Sequence, residues 1–228
     1  MLSHPDLLPP IARQVWIPCG TMELEGSLAL PPRARGLVLF AHGSGSSRHS
    51  PRNQFVARFL QEGGLGTLLF DLLTGPEERE DAVTGAYRFD IALLASRLEA
   101  ASAWAADPHL AGGLPQGLFG ASTGAAAALI AAARSGPRVQ AVVSRGGRPD
   151  LAGEALPLVA APTLLIVGEQ DPEVIQLNRE AMARMACERE LQIVRRATHL
   201  FEEPGALRIV ADLASSWFRT HLKGGEVP

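Results

Sequence analysis

Short buried-strand runs alternate with helical patterns along nearly the whole chain, and this alternation constrains the fold more than any other feature. GLVLFA (Gly36–Ala41), TLLF (Thr67–Phe70), VQAVVS (Val139–Ser144) and TLLIV (Thr163–Val167) are nearly continuous apolar runs. Strands read this way when both of their faces are covered. Shorter strand patterns lie at Gly117–Phe119 and Leu191–Val194. Between them the apolar spacing turns helical: over Pro51–Glu62, from Ile91 through Leu94, Leu98, Ala101 and Ala105, over Thr123–Arg134, over Glu173–Ala186, and over Ala206–Leu222. Strands separated by helices predict an α/β fold, with a mostly parallel central sheet and helices on both faces. Val15–Pro18 and the alternating Met22–Leu30 predict an antiparallel hairpin at the N-terminal edge. The polar, acidic segment Leu72–Arg88 shows neither period and is expected to be a long loop. No repeat or low-complexity linker divides the chain, so residues 1–228 are expected to form one domain.

Composition narrows the classes of partner. A net charge of −3 with mixed signs offers no broad basic surface for nucleic acid. The longest unbroken apolar run, Ala125 to Ala133, is too short to cross a bilayer, so no membrane partner is expected. The opening MLSHPDLLPP has no basic start and no apolar stretch, so it does not read as a secretion leader. Two cysteines, Cys19 and Cys187, make neither a disulfide framework nor a zinc site, and the expected setting is cytoplasmic.

Gly120-Ala121-Ser122-Thr123-Gly124 is the sharpest local motif. It follows a short strand and opens an Ala-rich helix, which is the context a nucleophile elbow needs. A serine there sits at a helix start, where free N–H groups favour developing negative charge. A serine nucleophile needs a base, and the base needs an orienting acid, in the chain order serine, acid, histidine. Asp171 stands just beyond TLLIV, and His199 stands between the last strand and the last helix. Both are predicted at the strand edge that carries Ser122. Two alternatives remain open: Asp171, before Pro172, suits a helix N-cap, and Glu169 is a second candidate acid.

The Gly-rich turn Ala41-His42-Gly43-Ser44-Gly45 after GLVLFA is placed to supply a backbone N–H to an oxyanion hole, with Ser44 as donor and Thr123 supplying the other. A phosphate loop is the competing reading, but neither G-x-x-x-x-G-K-[ST] nor G-x-G-x-x-G occurs there. His42 is read as a loop brace or a substrate contact. Arg48, Arg88, Arg145 and Arg148 are all expected near the same strand edge. Arg145, at the end of VQAVVS, is a candidate grip for a substrate carboxylate, unless it or Arg148 pairs with Asp150 or Asp71.

From about Val15 to Leu222 the chain resembles the α/β-hydrolase superfamily, and within it the dienelactone hydrolase-like family. MELEGSLALP, AHGSGSS, LLFDLL, GASTG, VGEQD and ATHLFEEPG carry the resemblance. It is also similar to hydrolase domains fused to phosphoribosyltransferase domains in some bacterial proteins. Arg145 to Val159 leaves no room for the lid common in this superfamily, so no cap domain is expected. The resemblance implies a small serine hydrolase with a Ser122-Asp171-His199 triad, acting on small esters, lactones or thioesters, with no metal and no cofactor. A peptidase or acyltransferase on the same triad, or a binding protein without chemistry, are the alternatives. One departure stands out: the dienelactone hydrolases that name the family use a cysteine nucleophile, and here the elbow holds Ser122.

Overall fold

The computed structural model describes residues 12–111 and 113–223. The opening MLSHPDLLPP, with its expectation about a leader, lies outside the described residues. The strands are β1 (Arg13–Cys19), β2 (Met22–Ala29), β3 (Leu37–Ala41), β4 (Gly66–Phe70), β5 (Gln116–Ala121), β6 (Val139–Arg145), β7 (Thr163–Gly168) and β8 (Arg189–Val194). They form one eight-stranded sheet in the order β1-β2-β4-β3-β5-β6-β7-β8. β1 pairs antiparallel with β2, and β2 antiparallel with β4; every later pairing is parallel. This is the α/β-hydrolase fold, and the hairpin stands where the sequence predicts it.

The helices are α1 (Pro51–Glu62), α2 (Gly75–Thr84), α3 (Ile91–Ala105), α4 (Pro108–Ala111), α5 (Thr123–Ser135), α6 (Pro172–Arg184) and α7 (Ala206–His221). α1 and α7 pack together on one face of the sheet; α3, α5 and α6 lie on the other. Each face has its own apolar core. Phe40, Phe119, Val56, Val210 and Phe218 build the first; Leu39, Leu68, Leu98, Leu118 and Leu129 build the second. β3, β4, β5 and β7 are buried along their whole length, which explains their unbroken apolar runs. The outer strand β8 buries only Val194 and carries Arg189, Glu190 and Gln192, polar residues that discourage further strand pairing. In α5 the alanines from Ala125 to Ala128 are all buried, and their small side chains let the helix lie close on the sheet.

The segment Leu72–Arg88 is not the long loop expected: it contains α2. Thr74 and Glu77 close a reciprocal capping box, with the Thr74 amide donating to Glu77 Oε2 at 2.7 Å. Gly85 ends the helix in the left-handed conformation at φ 66°. The helix buries only Asp81, so it lacks the apolar stripe by which helices are recognised. Its capping signature, Thr74-x-x-Glu77, was the legible signal.

Between β6 and β7 the chain forms only two short 3-10 turns within Pro149–Leu158, kinked at Gly153, and no cap domain stands among the described residues. No described helix is long and apolar enough to cross a membrane. The in-register pairs Ala41↔Gly120 and Ala121↔Arg145 bring the carboxyl ends of β3, β5 and β6 to one edge. In sheets of this kind, ligands bind at that edge.

Candidate active site

At the end of β5 the chain turns sharply into α5. Ser122 holds φ 51° and ψ −122°, a conformation that non-glycine residues avoid and that local packing must enforce. Both motif glycines are demanded by close approach. A Cβ on Gly120 would lie 2.4 Å from the Ala125 Cα, and one on Gly124 would lie 2.3 Å from the Ala41 carbonyl oxygen. Any side chain at either position would push the elbow apart.

Asp171 and His199 meet through a third close approach. A Cβ on Gly168 would sit 2.4 Å from the Ala197 carbonyl oxygen, so glycine lets the loop after β8 cross the end of β7. The Gln170 amide donates to that carbonyl at 2.9 Å and stitches the two loops together. His199 Nδ1 then lies 2.7 Å from Asp171 Oδ2. Asp171 is the N-cap residue of α6, and its backbone carbonyl accepts the Ile175 amide at 3.0 Å, but its side chain makes no cap hydrogen bond and faces His199 instead. Glu169 is engaged elsewhere, accepting the Arg196 amide at 2.7 Å.

Ser122, His199, Ser44 and Arg145 line one pocket of about 190 Å³, with Arg52, Asn53 and Leu200 among its other walls. Larger grooves elsewhere, including one of about 440 Å³ against the N-terminal hairpin, hold none of these residues. Neither Cys19 nor Cys187 lines the Ser122 pocket. The Thr123 amide, at the first position of α5, has no hydrogen-bond partner among the described residues and stands beside Ser122. The Ser44 amide donates to Thr123 Oγ1 at 3.1 Å.

His42 braces the Gly-rich turn and does not line the Ser122 pocket. The Leu72 amide donates to its Nε2 at 3.1 Å, so Nδ1 carries the ring proton and donates to the Gly43 carbonyl at 3.0 Å. Both nitrogens are spent on backbone. Burial pushes the His42 pKa below the ordinary histidine value, outweighing the Gly43 hydrogen bond and the nearby acids. A folded-state pKa below the unfolded one means stability is present above the unfolded value and lost as pH falls through the folded one. His42→Gln should therefore cost stability at neutral pH, and its deficit against wild type should shrink as the pH drops below the histidine range. Denaturant unfolding at several pH values checks this; a deficit that stays constant or widens in acid would contradict it.

The four arginines separate cleanly. Arg148 forms a two-pronged pair with Asp150 at 2.9 and 2.8 Å. Arg48 pairs with Asp71 and Glu25, and Arg88 with Asp81. Arg145 has no carboxylate partner among the described residues. It is 7% exposed, its Nη2 lies 3.4 Å from Asn53 Oδ1, its Nε has no partner, and its guanidinium stands 5.9 Å from the Phe201 ring centre. Burial first, and the charge of Arg52 second, push its pKa down to about 10, so it stays charged at neutral pH. Arg52 pairs with the exposed Glu202 at 3.0 Å, and its buried Nε also lacks a partner. Sequence reasoning missed Arg52 and Asn53, which open α1 just beyond the Gly-rich turn.

A dienelactone hydrolase from Anabaena variabilis, known from a crystal structure, is 55% identical to this chain. The match covers 95% of this chain and all of that one, with a TM-score of 0.93. The chain belongs to the dienelactone hydrolase family. Two Mycobacterium tuberculosis proteins named as phosphoribosyl transferases are 54% identical to this family member over 217 residues. That match takes in 95% of the chain and 48% of theirs, so the chain spans about half the length of the curated relatives it matches. Est1E from Butyrivibrio proteoclasticus shares the fold at a TM-score of 0.75 and 16% identity, over 91% of this chain and 98% of its own. No family model matches the chain.

Proposed function

We propose that this family member is a serine hydrolase that cleaves small esters, lactones or thioesters through an acyl-enzyme. One observation carries the reading: a strained Ser122 opens into the same pocket as a histidine whose Nδ1 is held by a carboxylate at 2.7 Å. Ser122 Oγ attacks the substrate carbonyl and gives its proton to His199 Nε2. Asp171 accepts from Nδ1–H, fixes the tautomer and stabilises the imidazolium. The Thr123 and Ser44 amides receive the carbonyl oxygen as it gains charge. His199 protonates the leaving group, then takes a proton from the water that attacks the acyl group and returns it to Ser122 Oγ as the acyl bond breaks. The residues need no metal or cofactor for these steps. One domain in a cytoplasmic setting fits the single sheet and the two free cysteines.

Arg145 and Arg52 refine the substrate class to esters that carry a second, negatively charged group. A buried guanidinium without a counter-charge is costly, and a carboxylate in the pocket would satisfy it with charge-assisted hydrogen bonds. Steady-state kinetics on a carboxylate-bearing ester and a neutral ester of similar size test this. Arg145→Ala should raise KM on the charged ester by about ten- to a hundredfold, the loss expected of a charge-assisted contact, and leave the neutral ester nearly unchanged. Equal losses on both esters with a lowered Tm would show that Arg145 only braces the sheet edge. A wild-type protein that binds esters without turning them over would favour a binding role over hydrolysis.

A further inference from the structure

A continuous run of hydrogen bonds ties α2 to the turn that carries Ser44. The Asp81 carboxylate, 5% exposed, accepts the Tyr87 amide at 2.7 Å, the Arg88 amide at 2.9 Å and Arg88 Nε at 2.7 Å. Arg88 Nη2 returns to the Asp81 carbonyl at 2.5 Å. Burial alone raises the Asp81 pKa, but the Arg88 and Tyr87 amides and the Arg88 guanidinium outweigh it and hold the carboxyl below its ordinary value. The Arg88 backbone is thereby fixed, and its carbonyl accepts the Ser44 hydroxyl proton at 3.1 Å.

Proton accounting then sets the direction of every remaining bond. The Ser44 hydroxyl has one proton, already given to Arg88, so its 2.9 Å contact with Thr123 Oγ1 must be donated by Thr123. Thr123 Oγ1 in turn accepts the Ser44 amide at 3.1 Å. Ser44 and Thr123 form a closed ring, oriented by the Arg88 carbonyl. Both residues whose amides are assigned to the oxyanion hole belong to that ring.

We infer that Asp81, acting through Arg88 and the Ser44 hydroxyl, is a positioning residue of the oxyanion hole, and that the Thr123 hydroxyl holds the Ser44 amide until a substrate oxygen takes its place. This rests on the reading of the Ser44 and Thr123 amides as oxyanion donors. Such donors work because they are aimed before the reaction begins. An oxygen that is gaining negative charge is a stronger acceptor than a neutral hydroxyl, so it displaces Thr123 Oγ1 from the Ser44 amide. The Ser44 backbone does not drift during the exchange, because its hydroxyl stays tied to Arg88. The polar helix α2 thereby anchors the turn that carries Ser44.

The test measures kcat and KM on a neutral aryl ester, below each variant's Tm, for wild type, Ser122→Ala, Asp81→Asn, Ser44→Ala, Asp81→Asn with Ser44→Ala, Thr123→Val and Thr123→Ser. Asp81→Asn and Ser44→Ala should each lower kcat about tenfold with little change in KM, part of the ~10²–10³ lost when a donor is removed outright. The double variant should be no slower than Ser44→Ala alone, because both cut one chain. Thr123→Val should lower kcat, and Thr123→Ser should recover most of the loss. Should Asp81→Asn fail to fold, Arg88→Ala probes the same anchor, with the same direction expected. Wild-type kcat in Asp81→Asn, in Ser44→Ala or in Thr123→Val, or losses that multiply in the double variant, would overturn the inference. An inactive wild type, or full activity in Ser122→Ala, would instead overturn the hydrolase reading beneath it.

Discussion

Ser122→Ala should lower kcat on an activated aryl ester by about 10⁶ while leaving the Tm close to that of wild type. Removing the nucleophile of a serine hydrolase costs about that much, and what survives comes from binding and the oxyanion donors. Folding should tolerate the change because the elbow is imposed by Gly120 and Gly124, not by the Ser122 hydroxyl. Alanine also relaxes none of the packing between Ala125 and β5. The measurement is a burst-corrected turnover rate set beside a melting curve. A loss of less than about a hundredfold would remove Ser122 as the attacking group.

Asp171→Asn should be nearly as damaging, lowering kcat by about 10³–10⁴ with the fold intact. The carboxylate accepts from His199 Nδ1–H at 2.7 Å, which leaves Nε2 bare and able to take the Ser122 proton. An amide rotated to donate to Nδ1 would move the ring proton to Nε2 and leave no base facing the serine. Glu169→Gln serves as the comparison, because Glu169 holds only the Arg196 backbone amide. It should cost little turnover. A larger loss in Glu169→Gln than in Asp171→Asn would mean that the orienting acid had been misassigned.

The parallel sheet and the elbow were legible in the sequence because burial and steric need leave strong local marks. GLVLFA and TLLIV are apolar throughout, as buried parallel strands must be, and Gly-x-Ser-x-Gly records two close backbone approaches. Asp171 and His199 could be placed near Ser122 from strand ends and chain order, since a parallel sheet gathers those ends on one edge, but Glu169 was an equally placed acid until the fold showed which carboxylate faces His199. Helix α2 shows no apolar period because it buries almost nothing apolar, and only its capping box marks it in the sequence. Pairing partners were hidden for a different reason. Arg48, Arg88, Arg145 and Arg148 look alike in sequence, and only the fold shows that three have carboxylates while Arg145 has none among the described residues. The engagement of the Ser44 amide by Thr123, 79 residues away, depends on how two loops face each other across the sheet edge.

Covalent labelling of Ser122 tests the central claim most directly. A fluorophosphonate reacts only with a serine that is activated and whose adduct oxygen can be held, so it reports nucleophile, base and oxyanion donors together. Incubation at neutral pH followed by peptide mass spectrometry should place one adduct on Ser122, with labelling abolished in Ser122→Ala and strongly slowed in His199→Ala. Esterase turnover by wild type with no adduct at Ser122, or an adduct that persists in Ser122→Ala, would contradict the account.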